Sequence, residues 1–204
     1  MLYKAKVSLT NFLAKLVVRR ILGRALVRAW LPLLAVPLTA LWNVWVTWVV
    51  LREARVRAMG PSAARAMVRV VVEAHGPLSP ACRLAAARAV ASAIVRTEDL
   101  HPNLFAVLHE VMEAIGEVPS ERFDDPDAFL GSLPELEPAD CVLTLRLLVV
   151  AAVIDGRFTS AERKLLRAAQ THSGRPIDDR VPEAIRRAFV AGKPEAASML
   201  LSIQ

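Results

Sequence analysis

The sequence predicts an all-α protein, a helical bundle with an internally duplicated helical unit and an apolar N-terminal helical segment. Hydrophobic residues make up 54% of the 204 residues but aromatic residues only 5%, so Ala, Val and Leu supply most of the apolar content. Ala and Arg, which are both abundant, are strong helix formers. No convincing run alternates between apolar and polar residues with the period of two that a strand requires. We therefore expect helices packed on helices and no sheet.

The charge is distributed unevenly along the chain, although the formal net charge is only +6. Residues 1–70 contain twelve Lys and Arg and a single acid, Glu53, whereas residues 71–204 contain fourteen basic and nineteen acidic residues. This asymmetry predicts a polyanionic partner for the N-terminal part, either lipid headgroups or nucleic acid. Nucleic acid is disfavoured, because the basic region has no docking motif and no interleaved aromatic residues.

An uncharged segment, residues 29–51, is the most informative feature of the N-terminal part. Its 23 residues would span about 34 Å as a helix, enough to cross a hydrocarbon core of about 30 Å. A helix is also predicted before it, over residues 2–28. Basic residues flank the segment on both sides, so its ends suit anionic headgroups. The residues predicted to contact the membrane are Trp30, Trp42, Trp45, Trp48, Arg20, Arg24, Arg28 and Arg52.

The sequence leaves the placement of this segment open. Pro32 and Pro37 are expected to kink or interrupt a helix, and the three later Trp residues recur on one face instead of marking two ends. The segment is therefore predicted to span the membrane, or to bend and dip into one leaflet. The alternative is a core helix covered by the rest of the protein or by a second copy.

A domain boundary is predicted at Gly60-Pro61, which separates a basic, apolar region (1–60) from a helical domain (61–204). Residues 117–138, which are rich in Pro and acids, form a connector with room for one short helix after Asp125. The helices predicted in the domain are 62–74, 80–97, 101–115, 139–154, 160–172, 180–191 and 194–202.

Two segments of this domain, residues 70–90 and 149–169, resemble each other. In each, an apolar helix ends at a polar residue and a Gly, and a hydroxyl residue three positions later precedes a new helix. His75 corresponds to Asp155, and Cys82 corresponds to Glu162. Gly can end a helix and Ser or Thr can cap the next one, so the motif has a purely structural explanation.

The second segment, with Asp155-Gly156 and then Glu162 after five intervening residues, resembles the TerB-like family of tellurite-resistance type. The resemblance covers roughly residues 62–204. It implies an all-helical fold with a duplicated unit, a stress-related role, and association of the acidic residues with a divalent cation, often calcium. Only Asp155 and Glu162 match the acidic positions. The apolar N-terminal segment faintly resembles that of EcsC-like bacterial membrane-associated proteins.

A sharper hypothesis follows if the two halves pack about a pseudo-two-fold axis. His75, Cys82, Asp155 and Glu162 would then converge and could bind zinc or another transition metal. The structural alternative is that these positions only cap and terminate helices, as Thr159 and Glu162 would do in a capping box.

The sequence contains none of the motifs that signal common enzymatic chemistry, such as a phosphate-binding loop, a zinc-protease helix or a nucleophile elbow. We therefore expect no enzyme but a non-catalytic, membrane-associated helical module, responsive to divalent ions or related to stress. It would lie in the bacterial inner membrane or on its cytoplasmic face, with lipid as its partner. The alternative is a cytoplasmic homo-oligomeric scaffold that buries the Trp-rich segment between subunits.

Overall fold

The computed structural model describes residue 15 and residues 24–96, 101–116 and 123–203, with side chains of the first helix from residue 35 onward. The described residues form eight α-helices and no strand, which confirms the predicted all-α fold. The helices are α1 (Arg24–His75), α2 (Pro80–Arg96), α3 (Pro102–Ile115), α4 (Pro126–Ser132), α5 (Pro138–Val153), α6 (Ser160–Ser173), α7 (Arg180–Val190) and α8 (Glu195–Met199). Two 3-10 turns, Leu133–Glu135 and Leu200–Ser202, follow α4 and α8.

Most helix limits predicted from the sequence are confirmed. The observed ends of α2, α3, α5, α6 and α7 lie within one residue of the predicted ends. The predicted connector contains α4, which begins after Asp125, and the carboxylate of Asp125 accepts hydrogen bonds from the backbone N–H groups of Asp127 and Ala128. The predicted helix over residues 2–28 falls largely outside the described residues.

Helix α1 differs from the expectation, because it continues for 52 residues through Pro32, Pro37 and Pro61 without interruption. The expected helix break at Gly60-Pro61 is therefore wrong. Gly60 serves the packing of the helix, because a Cβ atom at this position would lie 2.0 Å from Oδ1 of Asn103. The Asn103 amide donates hydrogen bonds to the carbonyls of Val56 (3.0 Å) and Ile154 (2.8 Å). Gly60 thus makes room for a buried amide that joins α1, α3 and the end of α5.

The chain divides into two compact units, residues 1–51 and 52–204. In the first unit, ten large apolar side chains between residues 36 and 51 are exposed, with exposed fractions from 40% to 70%, whereas Val46 is partly buried. In the second unit, the buried residues of α1 recur at helical spacing along one face: Val56, Ala64, Met67, Val68 and Val71. An apolar stripe of this kind is typical of a helix that packs against a core.

Helix α5 is central to the second unit. Leu147, Leu148 and the following residues through Ile154 are buried on every side of the helix, and α5 packs against α2, α3, α6 and α7. A helix that is apolar all round requires burial on all sides. This burial holds both ends of α5 in place. Each end lies beside one of the two repeated helix-to-helix turns.

Candidate functional site

The two repeated turns share one local construction. Gly76 and Gly156 adopt positive φ angles of +87° and +78°, which favour glycine because the left-handed region strains residues with a Cβ atom. Ser79 then accepts a hydrogen bond from the N–H of Cys82 (3.0 Å), as Thr159 does from the N–H of Glu162 (3.3 Å). The repeat detected in the sequence is therefore present as matching backbone geometry.

The first turn brings together three side chains of different chemistry. Nε2 of His75 lies 2.9 Å from Oδ1 of Asp140, in the first turn of α5. One ligand-type atom from each of His75, Cys82 and Asp140 lies within 4.8 Å of the other two. The hydroxyl of Ser79 donates to Oδ2 of Asp140 at 2.6 Å, so both carboxylate oxygens of Asp140 have a fixed partner. We refer to these four residues as the His75 cluster.

The His75 cluster is shielded from water but not sealed. Cys82 is fully buried, and the side chains of His75 and Asp140 are each 9% exposed. Burial, together with the smaller effect of the neighbouring Asp140 carboxylate, raises the pKa of the Cys82 thiol to about 12. Without a cation nearby, this sulfur therefore carries its proton at neutral pH.

The second turn is built from acids that are held mainly by the backbone. Oδ1 of Asp155 accepts from the N–H of Arg157 at 2.7 Å, and Oε2 of Glu162 accepts from the N–H of Thr159 at 2.6 Å. Together with the hydroxyl of Thr159, Glu162 completes the predicted capping box. Its other oxygen, Oε1, is buried without a hydrogen-bond partner. Burial raises the pKa of Glu162 to about 7 and also raises the pKa of Asp155.

Cationic groups surround the second turn. Arg52 (3.1 Å) and Arg186 (3.0 Å) both donate to the carbonyl oxygen of Gly156. The ring of His101, 5% exposed, lies 3.2 Å from Oε1 of Glu53. These contacts fix α1, α3 and α7 around the turn. The predicted membrane-contact residue Arg52 therefore has a structural partner within the second unit.

The structure separates the four residues that were hypothesised to share one metal. His75 and Cys82 lie together, but their third partner is Asp140. Asp155 and Glu162 lie at the other turn, and among the described residues they form no three-residue group suited to a metal ion. Asp140 was missed because an acid in the first turn of a helix is ordinary, and its sequence position is 58 residues after Cys82. Only its place in the first turn of the helix predicted over residues 139–154 gave a signal.

Besides Arg52, the structure describes the side chains of three of the predicted membrane-contact residues. Trp42, Trp45 and Trp48 are 45%, 49% and 59% exposed, and the rings of Trp42 and Trp45 lie 5.1 Å apart on one face of the helix. Arg20 lies outside the described residues, as do the side chains of Arg24, Arg28 and Trp30. One helical stretch in the described part of the chain, Ala35–His75, is long and apolar enough to cross a membrane by length and composition.

Comparisons with protein-family models, with curated proteins and with solved structures find no match to this chain. The resemblances to TerB-like and EcsC-like proteins therefore stay predictions from the sequence. The function has to be inferred from the residues themselves.

Proposed function

We propose that this protein is a non-catalytic, membrane-associated helical module, in which residues 29–51 contact lipid and residues 52–204 form a folded domain at the membrane surface. The observation that carries the proposal is the uncharged, exposed surface of residues 36–51. Ten large apolar side chains are exposed there, including three Trp. Contiguous apolar surface of this kind is typical of a membrane or protein interface. A core helix of a soluble protein and a signal sequence share the same length and composition, so the proposal requires a direct test.

The chemistry of the flanks also supports lipid contact. The N-terminal flank contains several Arg and Lys and no acid before Glu53. Each basic residue close to an anionic leaflet contributes on the order of 1 kcal/mol, and Trp favours the boundary between hydrocarbon and headgroups. After the segment, Arg52 and Arg55 donate to the carbonyls of Gly156 and Ala191, so they support the domain as well.

The divalent-cation role that the TerB-like resemblance implies at Asp155 and Glu162 is not favoured by the donors present. Calcium requires six to eight oxygen ligands. Here one oxygen of each acid already accepts a backbone N–H, and no third His, Cys or acid among the described residues joins the pair to form a metal-binding group. Burial instead favours a proton on Glu162. We therefore leave a calcium site out of the proposal, and a stress-related role stays a prediction of the resemblance.

Membrane attachment is tested by carbonate extraction of the full chain expressed in a bacterium. We expect the protein to stay in the membrane pellet after carbonate and to be released by detergent. The double variant Leu41→Lys/Val44→Lys should move the protein to the soluble fraction, because a lysine costs roughly 3 kcal/mol at the centre of a spanning helix. The matched control is Val95→Lys/Phe105→Lys, since these apolar residues of the second unit are also exposed, by 54% and 50%. It should stay in the pellet.

A soluble homo-oligomer gives a different outcome. The wild-type chain would then be released by carbonate and would behave in detergent-free light scattering as a compact dimer or larger species. Leu41→Lys/Val44→Lys would convert it to a monomer. That result would replace the membrane proposal with the scaffold alternative.

A further inference from the structure

We propose that the His75 cluster is a binding site for a transition-metal ion of the zinc class, with His75, Cys82 and Asp140 as its three protein ligands. The inference is independent of membrane attachment. It rests on three donor atoms of different types that converge from three separate helix ends.

The donor set has the chemistry of a zinc site. Imidazole nitrogen, thiolate sulfur and carboxylate oxygen are the three side-chain donors that zinc takes in proteins. Calcium and magnesium prefer oxygen alone, so the presence of His75 and Cys82 selects for the transition metals. The deprotonated forms of Cys82 and Asp140 would together balance the two positive charges of the ion.

The geometry requires little rearrangement. In a tetrahedral zinc site, neighbouring donor atoms are about 3.3–3.8 Å apart. The donors of the cluster already lie within 4.8 Å of one another, and Nε2 of His75 is 2.9 Å from Oδ1 of Asp140. The most distant pair of donor atoms would have to approach by about 1 Å to reach the spacing of a tetrahedral site.

The surroundings orient the ligands. Cys82 and Asp140 both lie in the first turn of a helix, after Pro80 and Pro138 respectively, where the positive end of the helix dipole favours anionic side chains. The Ser79 hydroxyl holds the second oxygen of Asp140 at 2.6 Å. Hydrogen bonds of this type position ligating carboxylates in metal sites.

The described residues supply three ligands, one fewer than the four of a tetrahedral zinc site. Structural zinc sites are closed by four protein ligands, whereas sites with three leave a position for water or for an incoming molecule. His75 and Asp140 are each 9% exposed, so water has limited access to the edge of the cluster. The geometry thus assigns an exchangeable fourth ligand to the ion.

Cobalt(II) substitution tests the site in the full-length protein. The purified chain is stripped with a chelator and titrated with Co²⁺. We expect one equivalent to give the absorption of tetrahedral Co²⁺ and a thiolate-to-cobalt charge-transfer band, and Zn²⁺ to remove both. Absence of the thiolate band from the wild-type spectrum would overturn the proposal. This result can be interpreted without any variant.

The two buried cysteines provide a matched pair of variants, because the chain contains only Cys82 and Cys141. Cys82→Ala should abolish the charge-transfer band, and Cys141→Ala should retain it. If circular dichroism shows that Cys82→Ala does not fold, Cys82→Ser replaces it. The band persisting in a folded Cys82 variant would contradict the assignment, as would its loss in a folded Cys141→Ala.

The remaining ligands are tested by affinity. His75→Gln and Asp140→Asn should each weaken Co²⁺ binding by at least tenfold. Ser79→Ala should weaken it 10- to 100-fold while the band stays at its wild-type position, because Ser79 acts only through Asp140. His109→Ala is the control, since the His109 side chain is 75% exposed and lies outside the cluster. Wild-type affinity in His75→Gln and Asp140→Asn would show that these residues are not ligands.

Discussion

At the scale of single residues, the side chain at the third position of a helix has a different role in each of three helices. Cys82, Asp140 and Glu162 each occupy the third position of a helix, after a Pro or Ser at the first. Glu162 bonds back to its own cap, Asp140 reaches the imidazole of His75, and Cys82 lies beside Asp140. The local frame is the same at all three positions, so the side chains that pack against each position determine its chemistry.

Glu162 predicts a pH dependence of stability. Its pKa is about 7 in the folded protein and 4.5 in the unfolded chain, so between these values the folded state binds more protons and loses stability as the pH rises. The free energy of unfolding should fall by up to about 3 kcal/mol between pH 4.5 and pH 7 from this group, and the raised pKa of Asp155 acts in the same direction. Urea unfolding across this range measures the slope.

The variant Glu162→Gln should remove most of this slope and be more stable than the wild type at pH 8. Glutamine retains the capping oxygen and resembles the protonated acid. Glu113→Gln is the control, because the Glu113 side chain is 68% exposed, and it should leave the slope unchanged. A wild-type slope in Glu162→Gln would show that other groups cause the pH dependence.

At the scale of elements, α1 combines two surface patterns in one continuous helix. Between residues 36 and 51 its side chains are uncharged and mostly exposed, and between Val56 and Val71 they are buried along one stripe. Arg52 lies at this change and donates a hydrogen bond to the backbone carbonyl of Gly156, which is distant in sequence. The pattern of burial, and not a break in the backbone, marks where the folded domain starts.

Gly60 predicts the cost of disturbing this helix. Gly60→Ala should destabilise the protein by about 2–3 kcal/mol, because its Cβ atom would displace the buried Asn103 side chain and leave polar groups without partners. Gly131→Ala in α4 is the matched control, since a Cβ atom there meets nothing within 4 Å. It should be neutral or stabilising by up to about 1 kcal/mol. Urea unfolding of both variants checks this, and equal stabilities would contradict the packing role of Gly60.

At the scale of the whole molecule, every buried hydrophobic residue among those described lies in the second unit, beginning at Val56. This unit contains its own core around α5, so its folding does not depend on burial of side chains from residues 36–51. The proposed membrane attachment and the folding of the second unit are therefore expected to be separable.

Truncation tests where the folded unit begins. A chain of residues 52–204 should be soluble without detergent and unfold cooperatively. A chain of residues 61–204, which starts at the boundary predicted from Gly60-Pro61, should be less stable by at least about 2 kcal/mol. It loses the burial of Val56 and the hydrogen bonds of Arg52 and Arg55. Equal stability of the two chains by urea unfolding would favour the boundary at residue 60.

Features that depend on neighbours within a few residues could be predicted from the sequence. The all-α class, most helix ends, the paired glycine turns and the Thr159–Glu162 capping box follow from local hydrogen bonding, which caps and spacing report directly. The uncharged segment was likewise predicted, because its length and composition can be read without knowing what it contacts. The continuity of α1 was not predicted, because the packing role of Gly60 depends on the side chain of Asn103, which is distant in sequence.

Contacts between side chains that are distant in sequence became clear only from the packing of the helices. His75 and Cys82 were singled out by the repeat, but their partner proved to be Asp140, brought to them by the burial of α5. Asp155 and Glu162 were held apart from them at the other turn. Helix α5 is positioned by the packing of the core around it, and this packing creates contacts between residues that are 58 positions apart in sequence. Sequence patterns report only on neighbours a few residues away, so they do not predict such contacts.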